Sequence, residues 1–527
     1  MIPTLFSNRA RTPHRFATKT VTVASATVVV CAVALSSAGG GTAGDRAPVR
    51  DDLTASDLAR VLAVTEPTSD FTDAERFEAN AGGAGTTRAR PDRDAFSQFG
   101  TNLDFEDEEQ FKLGNALFRK LWVSSPSSTL ASDGLGPLYN ARSCQGCHIK
   151  DGRGHPPADA DDDRISMFLR LSVPPRTEAE REALADRVVL SIPEPTYGGQ
   201  LQDFGVPGVP AEGRMTVVYR DRPVDLADGT TVMLREPAYD IANPGYGPFA
   251  DDLQISPRVA PQMIGLGLIE QIHPADILSL ADPDDDDGDG ISGRPSLLRA
   301  ADGGSDVLGR FGWKASASTV LAQSAAAFAG DIGISTPDAP RHWGDCTAAQ
   351  PLCREAPAGV QSNLGDTEAP DPVLDLVTFY SQNLAVPVRR DIDDPEILRG
   401  KKAFYESGCV KCHTPKYVTR RDAPHPAHRF QLIWPYSDFL LHDMGEGLAD
   451  GRPVGEASGS EWKTPPLWGI GLTEAVNGHT FFLHDGRARN LLEAVLWHGG
   501  EAEAARDEVI AMNAETRHAL IAFLESL

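Results

Sequence analysis

Positive charge is in short supply in this sequence, with 49 lysine and arginine residues against 75 aspartate and glutamate residues. The formal net charge is therefore −26 at pH 7. Because such a surface repels a phosphate backbone, we expect no nucleic-acid partner. Cysteine is also scarce, with 7 residues in 527. Four of these cysteines fall in two short motifs around which the rest of the chain is organised.

Long hydrophobic runs are lacking beyond the N-terminus. Four basic residues within the first nineteen precede an apolar run over residues 21–35, and small residues follow at 36–39. This order predicts a signal peptide over residues 1–38. The alternative is an uncleaved anchor, because the run is almost long enough to cross a bilayer. We expect cleavage, an exported or periplasmic protein, and no stable membrane insertion afterwards.

Two copies of Cys-x-x-Cys-His carry the most specific chemical signal. The copies comprise Cys144, Cys147 and His148, and Cys409, Cys412 and His413. This pattern is the attachment signature of c-type haem, because two thiols can add to the vinyl groups of one porphyrin. The adjacent histidine then supplies the proximal imidazole to the iron. The sequence therefore predicts two covalently bound c-type haems.

The scarcity of cysteine weakens the competing interpretations of the two motifs. A zinc knuckle would need two further close ligands, and neither neighbourhood offers another cysteine. A thioredoxin-like redox pair also uses Cys-x-x-Cys and is the other competing interpretation. Export agrees with covalent haem, which is attached outside the cytoplasm. Of the remaining cysteines, Cys346 and Cys353 predict a small disulfide loop, with two unpaired thiols as the alternative.

The predicted fold class is mainly α, with two cytochrome c-like domains and a small β-containing insertion in the first. A flexible linker is expected over residues 39–95, and the N-terminal haem domain over 96–340. The insertion is expected at about 160–250. A second linker, with the candidate disulfide and a helix, covers 341–392. The C-terminal haem domain covers 393–527.

Hydrophobic spacing predicts the individual elements. Runs rich in β-branched residues at 215–219 and 231–234 flank a turn at Asp228-Gly229. Helices are predicted at 51–65, 108–123, 261–271, 373–384 and 396–405.

An acidic stretch in the middle third of the chain resembles a calcium loop. Asp285, Asp287 and Asp289 alternate and are followed by Gly290, as in the first part of an EF-hand. The glutamate expected at the twelfth position is missing. Calcium is therefore one interpretation, and a solvated acidic turn is the other.

Longer motifs, most of them in the C-terminal third, are more specific than composition or spacing. These motifs cover residues 311–314, 433–445, 462–473, 481–487 and 491–498. Together with the haem motifs, they resemble the bacterial di-haem cytochrome c peroxidase superfamily, and more narrowly its di-haem oxidoreductase branch. The resemblance extends from about residue 95 to the end and is weakest in the β-containing insertion.

The resemblance implies different work for the two haems. The C-terminal haem is expected to take electrons in, with an axial ligand fourteen residues after His484. That position is His498, where the superfamily has methionine or tyrosine, so His413 and His498 are the expected axial pair. Met444 is the alternative ligand, and His498 could instead be a helix-end histidine.

The resemblance also implies catalytic residues for the N-terminal haem. Asp331 takes the position of the distal carboxylate and would move a proton between the oxygens of bound peroxide. Gln323 matches the glutamine of the same region, and Trp313 would carry electrons between the haems. Each residue has a purely structural alternative. Arg153 could pair with a haem propionate or lie in solvent.

The expected function is therefore haem-based reduction of hydrogen peroxide or another small oxidant, or oxidation of a substrate by the same centre. The expected partner is an electron-donor redox protein, a small cytochrome or cupredoxin, and a basic one would suit the acidic chain. One alternative is a plain electron-transfer protein, with His155 as a candidate blocking ligand. Another is a redox component for periplasmic metal uptake or maturation.

Overall fold

The computed structural model describes residues 49–157, 162, 166–300 and 303–527. The predicted signal peptide lies outside these residues. Within the described ranges, no helix is both long and apolar enough to cross a membrane.

Short helices joined by long connections make up most of the regular structure. The α-helices are α1 (Ala55–Thr65), α2 (Phe105–Phe118), α3 (Cys144–Cys147), α4 (Glu178–Ala185), α5 (Leu266–Glu270), α6 (Pro274–Leu278), α7 (Val320–Asp331), α8 (Pro351–Arg354), α9 (Asp371–Gln382), α10 (Pro395–Glu406), α11 (Thr473–Asn477), α12 (Leu491–Leu496), α13 (Glu503–Ala511) and α14 (Ala514–Ser526).

The strands pair two by two, so no large sheet forms among the described residues. They are β1 (Val123–Ser124), β2 (Asp133–Leu135), β3 (Leu138–Tyr139), β4 (Met167–Ser172), β5 (Phe204–Gly205), β6 (Arg214–Asp225), β7 (Thr231–Ala242), β8 (Gln254–Val259), β9 (Leu297–Leu298), β10 (Val307–Leu308), β11 (Tyr417–Val418), β12 (Leu432–Ile433), β13 (Leu441–Asp443) and β14 (Glu461–Lys463). A mainly helical fold with small sheets agrees with the predicted class, and the division into two cytochrome c-like domains remains a prediction.

The longest strands, β6 and β7, form an antiparallel hairpin inside the predicted insertion. Their register runs from Arg214 opposite Ala242 to Asp225 opposite Thr231. The hairpin extends beyond the β-branched runs that predicted it. Polar residues extend both strands, and many of the hairpin's side chains are exposed. Backbone pairing continues through such residues without a hydrophobic signal in the sequence.

The helix predicted at 261–271 is shorter in the structure, where α5 covers only its second half. Gly265 has a left-handed backbone with φ of 72°, which interrupts the helix before α5. The carbonyl of Pro261 is consequently available to a partner outside this segment. The other predicted helices are present, with ends shifted by a few residues.

Two large apolar clusters form the core. The larger cluster contains residues from Ala81 to Leu527 and includes Leu226 and Leu234 of the hairpin. The smaller cluster joins α2, α7 and α9 through side chains such as Phe118, Phe328 and Tyr380. Each haem motif borders one of them, because Cys409 packs against the larger and Cys144 against the smaller.

Part of the segment expected to be a flexible linker is packed against the C-terminal half. The Glu78 carboxylate forms a buried ion pair with Arg389 and another with Lys401, at 2.9 Å to the lysine Nζ. Burial alone would raise the pKa of Glu78, but the two cations hold it below its ordinary value. A stretch rich in glycine and alanine thus carries charged anchors that composition does not reveal.

The predicted disulfide is confirmed. Cys346 and Cys353 are bonded, with an S–S distance of 1.98 Å. Both residues are buried beside Leu138, next to the connection that follows α7. This bond accounts for both described cysteines outside the haem motifs.

Candidate haem sites

The first motif forms a short helix that ends at its histidine. Cys144 to Cys147 make up α3, and His148 follows at its C-terminal cap. The His148 Nδ1–H donates a hydrogen bond of 2.7 Å to the carbonyl oxygen of Pro261. Since a carbonyl only accepts, the proton is fixed on Nδ1 and the lone pair of Nε2 is left for an iron. Burial lowers the pKa of His148 to about 4, which keeps the imidazole neutral.

Asp331 interacts electrostatically with the two thiols of this motif. Burial and then the charge of Asp331 raise the pKa of the Cys144 thiol to about 12, and the same two effects raise that of Cys147. Asp331 ends α7, and its backbone carbonyl accepts hydrogen bonds from the N–H groups of Asn140 (2.9 Å) and Ala141 (3.0 Å). These bonds attach the end of α7 to the segment that leads into the motif.

The carboxyl group of Asp331 is held by an amide side chain. Gln200 Nε2 donates to Asp331 Oδ1 at 3.0 Å. Burial raises the pKa of Asp331 above its ordinary value, although the charge of Arg170 and the Gln200 bond oppose this shift. A carboxyl group with a raised pKa beside a haem motif is a candidate for proton exchange.

A second carboxyl group joins the same network. Gln200 Nε2 also lies 2.5 Å from Asn140 Oδ1, and Asn140 Nδ2 donates to Asp203 Oδ2 at 2.7 Å. Burial raises the pKa of Asp203 to about 6. These residues were not found from the sequence. They belong to no motif, and only the fold brings them to Asp331.

Gln323 is placed apart from Asp331. Both residues lie on α7, but eight residues at 1.5 Å each separate them by about 12 Å along the helix. Gln323 instead lies beside Gly312, where an added Cβ would be 3.7 Å from its Oε1 atom. The structure therefore brings Gln323 to the Trp313 segment rather than to the carboxyl group.

The second motif lies at one wall of a large cavity. Cys409–Lys411 forms a 3₁₀ turn directly after α10. His413 Nδ1–H donates to the carbonyl of Tyr436 at 2.9 Å, which leaves Nε2 for a metal. Burial lowers the pKa of His413 to about 4.

His498, which comes later in the C-terminal region, lies at the same cavity as His413. It follows α12, and its Nδ1–H donates to the Ala494 carbonyl at 2.8 Å. Burial lowers the pKa of His498, and both His498 and His413 line the same cavity. In each of the three candidate axial histidines, His148, His413 and His498, the proton lies on Nδ1 and the lone pair of Nε2 is left for an iron. Met444, the alternative ligand, lines the same cavity.

The cavity at the second motif has the size and lining that a haem needs. Its volume is about 460 Å³, and Cys409, Cys412, His413 and His498 all line it. Most other lining side chains are apolar, among them Phe404, Leu448, Leu491, Val495 and Leu520. Two thiols, two imidazoles in the metal-binding tautomer and an apolar wall fit covalent haem.

A charged group that sequence reasoning missed lies beside Cys412. His442 Nε2 lies 2.8 Å from Asp438 Oδ2, and its Nδ1 lies 2.6 Å from Glu501 Oε2. Burial would lower the pKa of His442, but the two carboxylates raise it well above its ordinary value. Cys412, Asp438 and His442 could together hold a metal, yet both ring nitrogens are already engaged with carboxylates. This arrangement does not favour zinc.

Trp313 connects the surroundings of the two motifs. Its Nε1–H donates to the Val259 carbonyl at 2.9 Å, two residues before the Pro261 that binds His148. Trp313 also lines the cavity of the second motif, with its ring 6.5 Å from that of His484. His484 in turn stacks on Trp462 at 3.8 Å. Aromatic rings thus lie between one motif's proximal segment and the other's cavity.

Two further predicted sites are His155 and the acidic stretch. His155 packs edge-to-face against His479, with ring centroids 5.3 Å apart. In the acidic stretch, carboxylate oxygens of Asp282, Asp285 and Asp287 lie within 4.8 Å of one another. Asp289 instead pairs with Lys411 at 2.9 Å. Calcium remains a prediction for this loop.

The family comparison matches nearly all of the described chain. The family described as "Di-haem oxidoreductase, putative peroxidase" matches residues 75–527. The chain therefore belongs to this family of di-haem oxidoreductases, as its motifs predicted. Membership implies haem as the cofactor and oxidoreduction as the general activity.

Other comparisons add little. No curated protein matches this sequence. Among solved structures, hydrazine synthase of Kuenenia stuttgartiensis, pressurized with 20 bar xenon, aligns with 18% identity and a TM-score of 0.20. The alignment covers 30% of this chain and 55% of that one, so it spans about half the length of that protein. Similarity at this level carries no functional argument.

Proposed function

We propose that this protein is an exported di-haem c-type oxidoreductase of the peroxidase kind. Electrons enter at the C-terminal haem, and hydrogen peroxide or a related small oxidant is reduced at the N-terminal haem. One contrast carries the proposal. The second motif has two histidines ready for one iron, whereas the first has one histidine and a carboxyl group with a raised pKa.

Each motif has residues that would hold a haem. Cys144 and Cys147 would form the thioether bonds of the first haem, and His148 would be its proximal ligand. A bound haem would supply the redox-active iron on which peroxide is reduced. The hydrogen bond from His148 to Pro261 orients the imidazole and increases its basicity.

The proposed role of Asp331 is proton transfer. Reduction of peroxide to water consumes two protons, and cleavage of the O–O bond needs a proton on the departing oxygen. A carboxyl group with a raised pKa can accept a proton from one oxygen and return it to the other. Gln200 fixes one carboxyl oxygen of Asp331 and so orients the group. Asp203, linked through Asn140, offers a second exchangeable proton nearby.

The second site suits electron transfer rather than substrate binding. His413 and His498 would together hold the iron of a haem bound there, and that haem would supply electron transfer. Trp313 contacts the Val259–Pro261 segment on one side and borders this cavity on the other. We propose Trp313 as the aromatic connection for electrons between the two sites. The acidic net charge suits a basic donor, such as a small cytochrome or cupredoxin.

Turnover with a reduced donor tests the proposal. Purified holoprotein is mixed with a chemically reduced small cytochrome and hydrogen peroxide, and oxidation of the donor is followed by absorbance. We expect donor oxidation that depends on both peroxide and the protein, with two donors consumed per peroxide. Oxidation of the donor at the background rate would support an electron carrier or a redox component of another system instead.

A further inference from the structure

Three buried cations line the cavity of the second motif. They are Arg153, Arg310 and Lys463, with relative exposures of 8%, 5% and 7%. The three residues come from distant parts of the sequence, so the fold alone assembles them. Their charges face an otherwise largely apolar enclosure.

None of these cations forms an ion pair within the described ranges of the chain. Arg153 Nη2 donates to the Leu483 carbonyl at 3.0 Å, and its buried Nε has no hydrogen-bond partner among the described residues. Arg310 donates to a backbone carbonyl at 2.9 Å, and Lys463 to another at 3.3 Å. Backbone carbonyls satisfy some N–H groups but do not neutralise the charges.

The acidic groups around the cavity do not supply the missing counter-charge. Asp289, Glu406 and Glu508 also line it but are exposed, and Glu501 is engaged by His442. Asp438 and Glu270 act on Lys463 and Arg310 only at longer range. A buried cation without a partner costs several kcal/mol, so an anion inside the cavity is expected.

We propose that Arg153 binds a propionate of the haem attached at Cys409 and Cys412. Arg310 and Lys463 complete the cationic lining for the two propionates. Haem propionates are carboxylates, and a guanidinium group offers the paired N–H donors that carboxylates prefer. The orphaned Nε–H of Arg153 is one such donor. The solvent-exposed alternative considered for Arg153 does not hold, because the residue is buried.

This assignment joins the two haem sites through one short segment. Arg153 lies five residues after His148, so the segment would ligate the first iron and bind the second haem. Its backbone is fixed at Arg153, whose N–H donates to Asn477 Oδ1 at 3.1 Å and whose carbonyl accepts from His479 at 3.3 Å. Burial lowers the pKa of Arg153 to about 10, which leaves it charged at neutral pH.

The test is the midpoint potential of the second haem in Arg153→Gln. The inference rests on the proposed function only in requiring haem at this motif. A nearby cation disfavours the ferric state, so its loss should lower the potential. This potential is measured by a redox titration of the two-haem holoprotein, in which the low-spin signal of the bis-histidine haem is monitored. Arg181→Gln on exposed α4 is the matched control and should change nothing.

Two more variants, Arg153→Lys and Lys463→Gln, test the same cationic lining. Arg153→Lys retains the charge and should lower the potential less than Arg153→Gln. Lys463→Gln removes a cation from the same lining and should lower the potential even if Arg153→Gln does not accumulate. Normal haem content with an unchanged potential in these variants would overturn the inference, as would a shift confined to the first haem. Absence of haem at the second motif would instead overturn the proposed function.

Discussion

His148 of the first haem motif donates a hydrogen bond of 2.7 Å to the carbonyl of Pro261, and Pro261 lines the cavity of the second motif. The two sites therefore share a wall, although 265 residues separate their first cysteines in the sequence. The shared wall continues through Val259 to the indole of Trp313. A change in either site can reach the other through one short stretch of backbone.

Covalent attachment of two haems is the first expectation. The holoprotein should keep haem stain after denaturation, and its mass should exceed that of the polypeptide by two haems. Replacing Cys144 and Cys147 together by serine should remove one haem and leave the other. The paired replacement of Cys346 and Cys353, which form the disulfide, should leave both haems. Zinc at either motif would contradict the account.

The axial role of His498 can be tested by His498→Met. Thioether ligation favours the ferrous state, so the midpoint potential of the second haem should rise. The near-infrared band of His/Met ligation should appear in the oxidised protein. Met444→Leu, altered in the same cavity, is the control and should leave ligation unchanged. If the unaltered protein already shows that band, a methionine is the ligand and His498 is not.

Gln200 is expected to act as a positioning residue for Asp331. Its hydrogen bond lowers the pKa of this carboxyl group against the larger effect of burial, so Gln200→Leu should raise the pKa further. The first proton step needs ionised Asp331, and the peroxide reaction should slow as pH falls through that pKa. The variant should shift this limb of the pH profile to higher pH. A slower reaction with an unshifted profile would indicate only a structural role.

The buried ion pairs of Glu78 should stabilise the fold. Glu78→Gln leaves Arg389 without its counter-charge, while Lys401 keeps its ion pair with Glu75 at 2.9 Å. Breaking a buried pair in this way typically costs about 3–5 kcal/mol and should lower the melting temperature. Because the pKa of Glu78 is lowered in the fold, the contribution is present above the unfolded pKa and is lost as pH falls through the folded one. Glu66→Gln, at an exposed position, is the control. Equal melting temperatures would contradict this role.

Local patterns predicted much of the molecule. Several predicted features depend only on residues close in sequence: the haem motifs, the disulfide, the turn of the β hairpin and most helices. The structure contains the predicted disulfide, the hairpin and most of the predicted helices. The resemblance to the peroxidase superfamily placed His498 fourteen residues after His484, and His498 lines the same cavity as His413. Features set by residues that are close in sequence can be predicted without a structure.

Long-range placement could not be predicted in the same way. The Gln200 amide reaches Asp331 only because the insertion folds back to the end of α7, where Gln200 also bonds Asn140 from the segment before the first haem motif. Arg153 looked like a loop residue, yet the fold buries it in the cavity of the other motif. Gln323 shares a helix with Asp331 but lies two turns away from it. The role expected for Gln323 came from the order of residues along the chain, which takes no account of helix geometry.

The peroxide reaction of the N-terminal haem tests the central claim most directly. The holoprotein is reduced by one electron equivalent and mixed with hydrogen peroxide, and the N-terminal haem is followed by stopped-flow absorbance. We predict a five-coordinate, high-spin N-terminal haem in at least one redox state and a fast absorbance change. Asp331→Asn should slow that change by about 10²–10⁴-fold with haem content unchanged, whereas Asp375→Asn, at an exposed position of α9, should not. Two low-spin haems in every redox state, with no reaction with peroxide, would contradict the account.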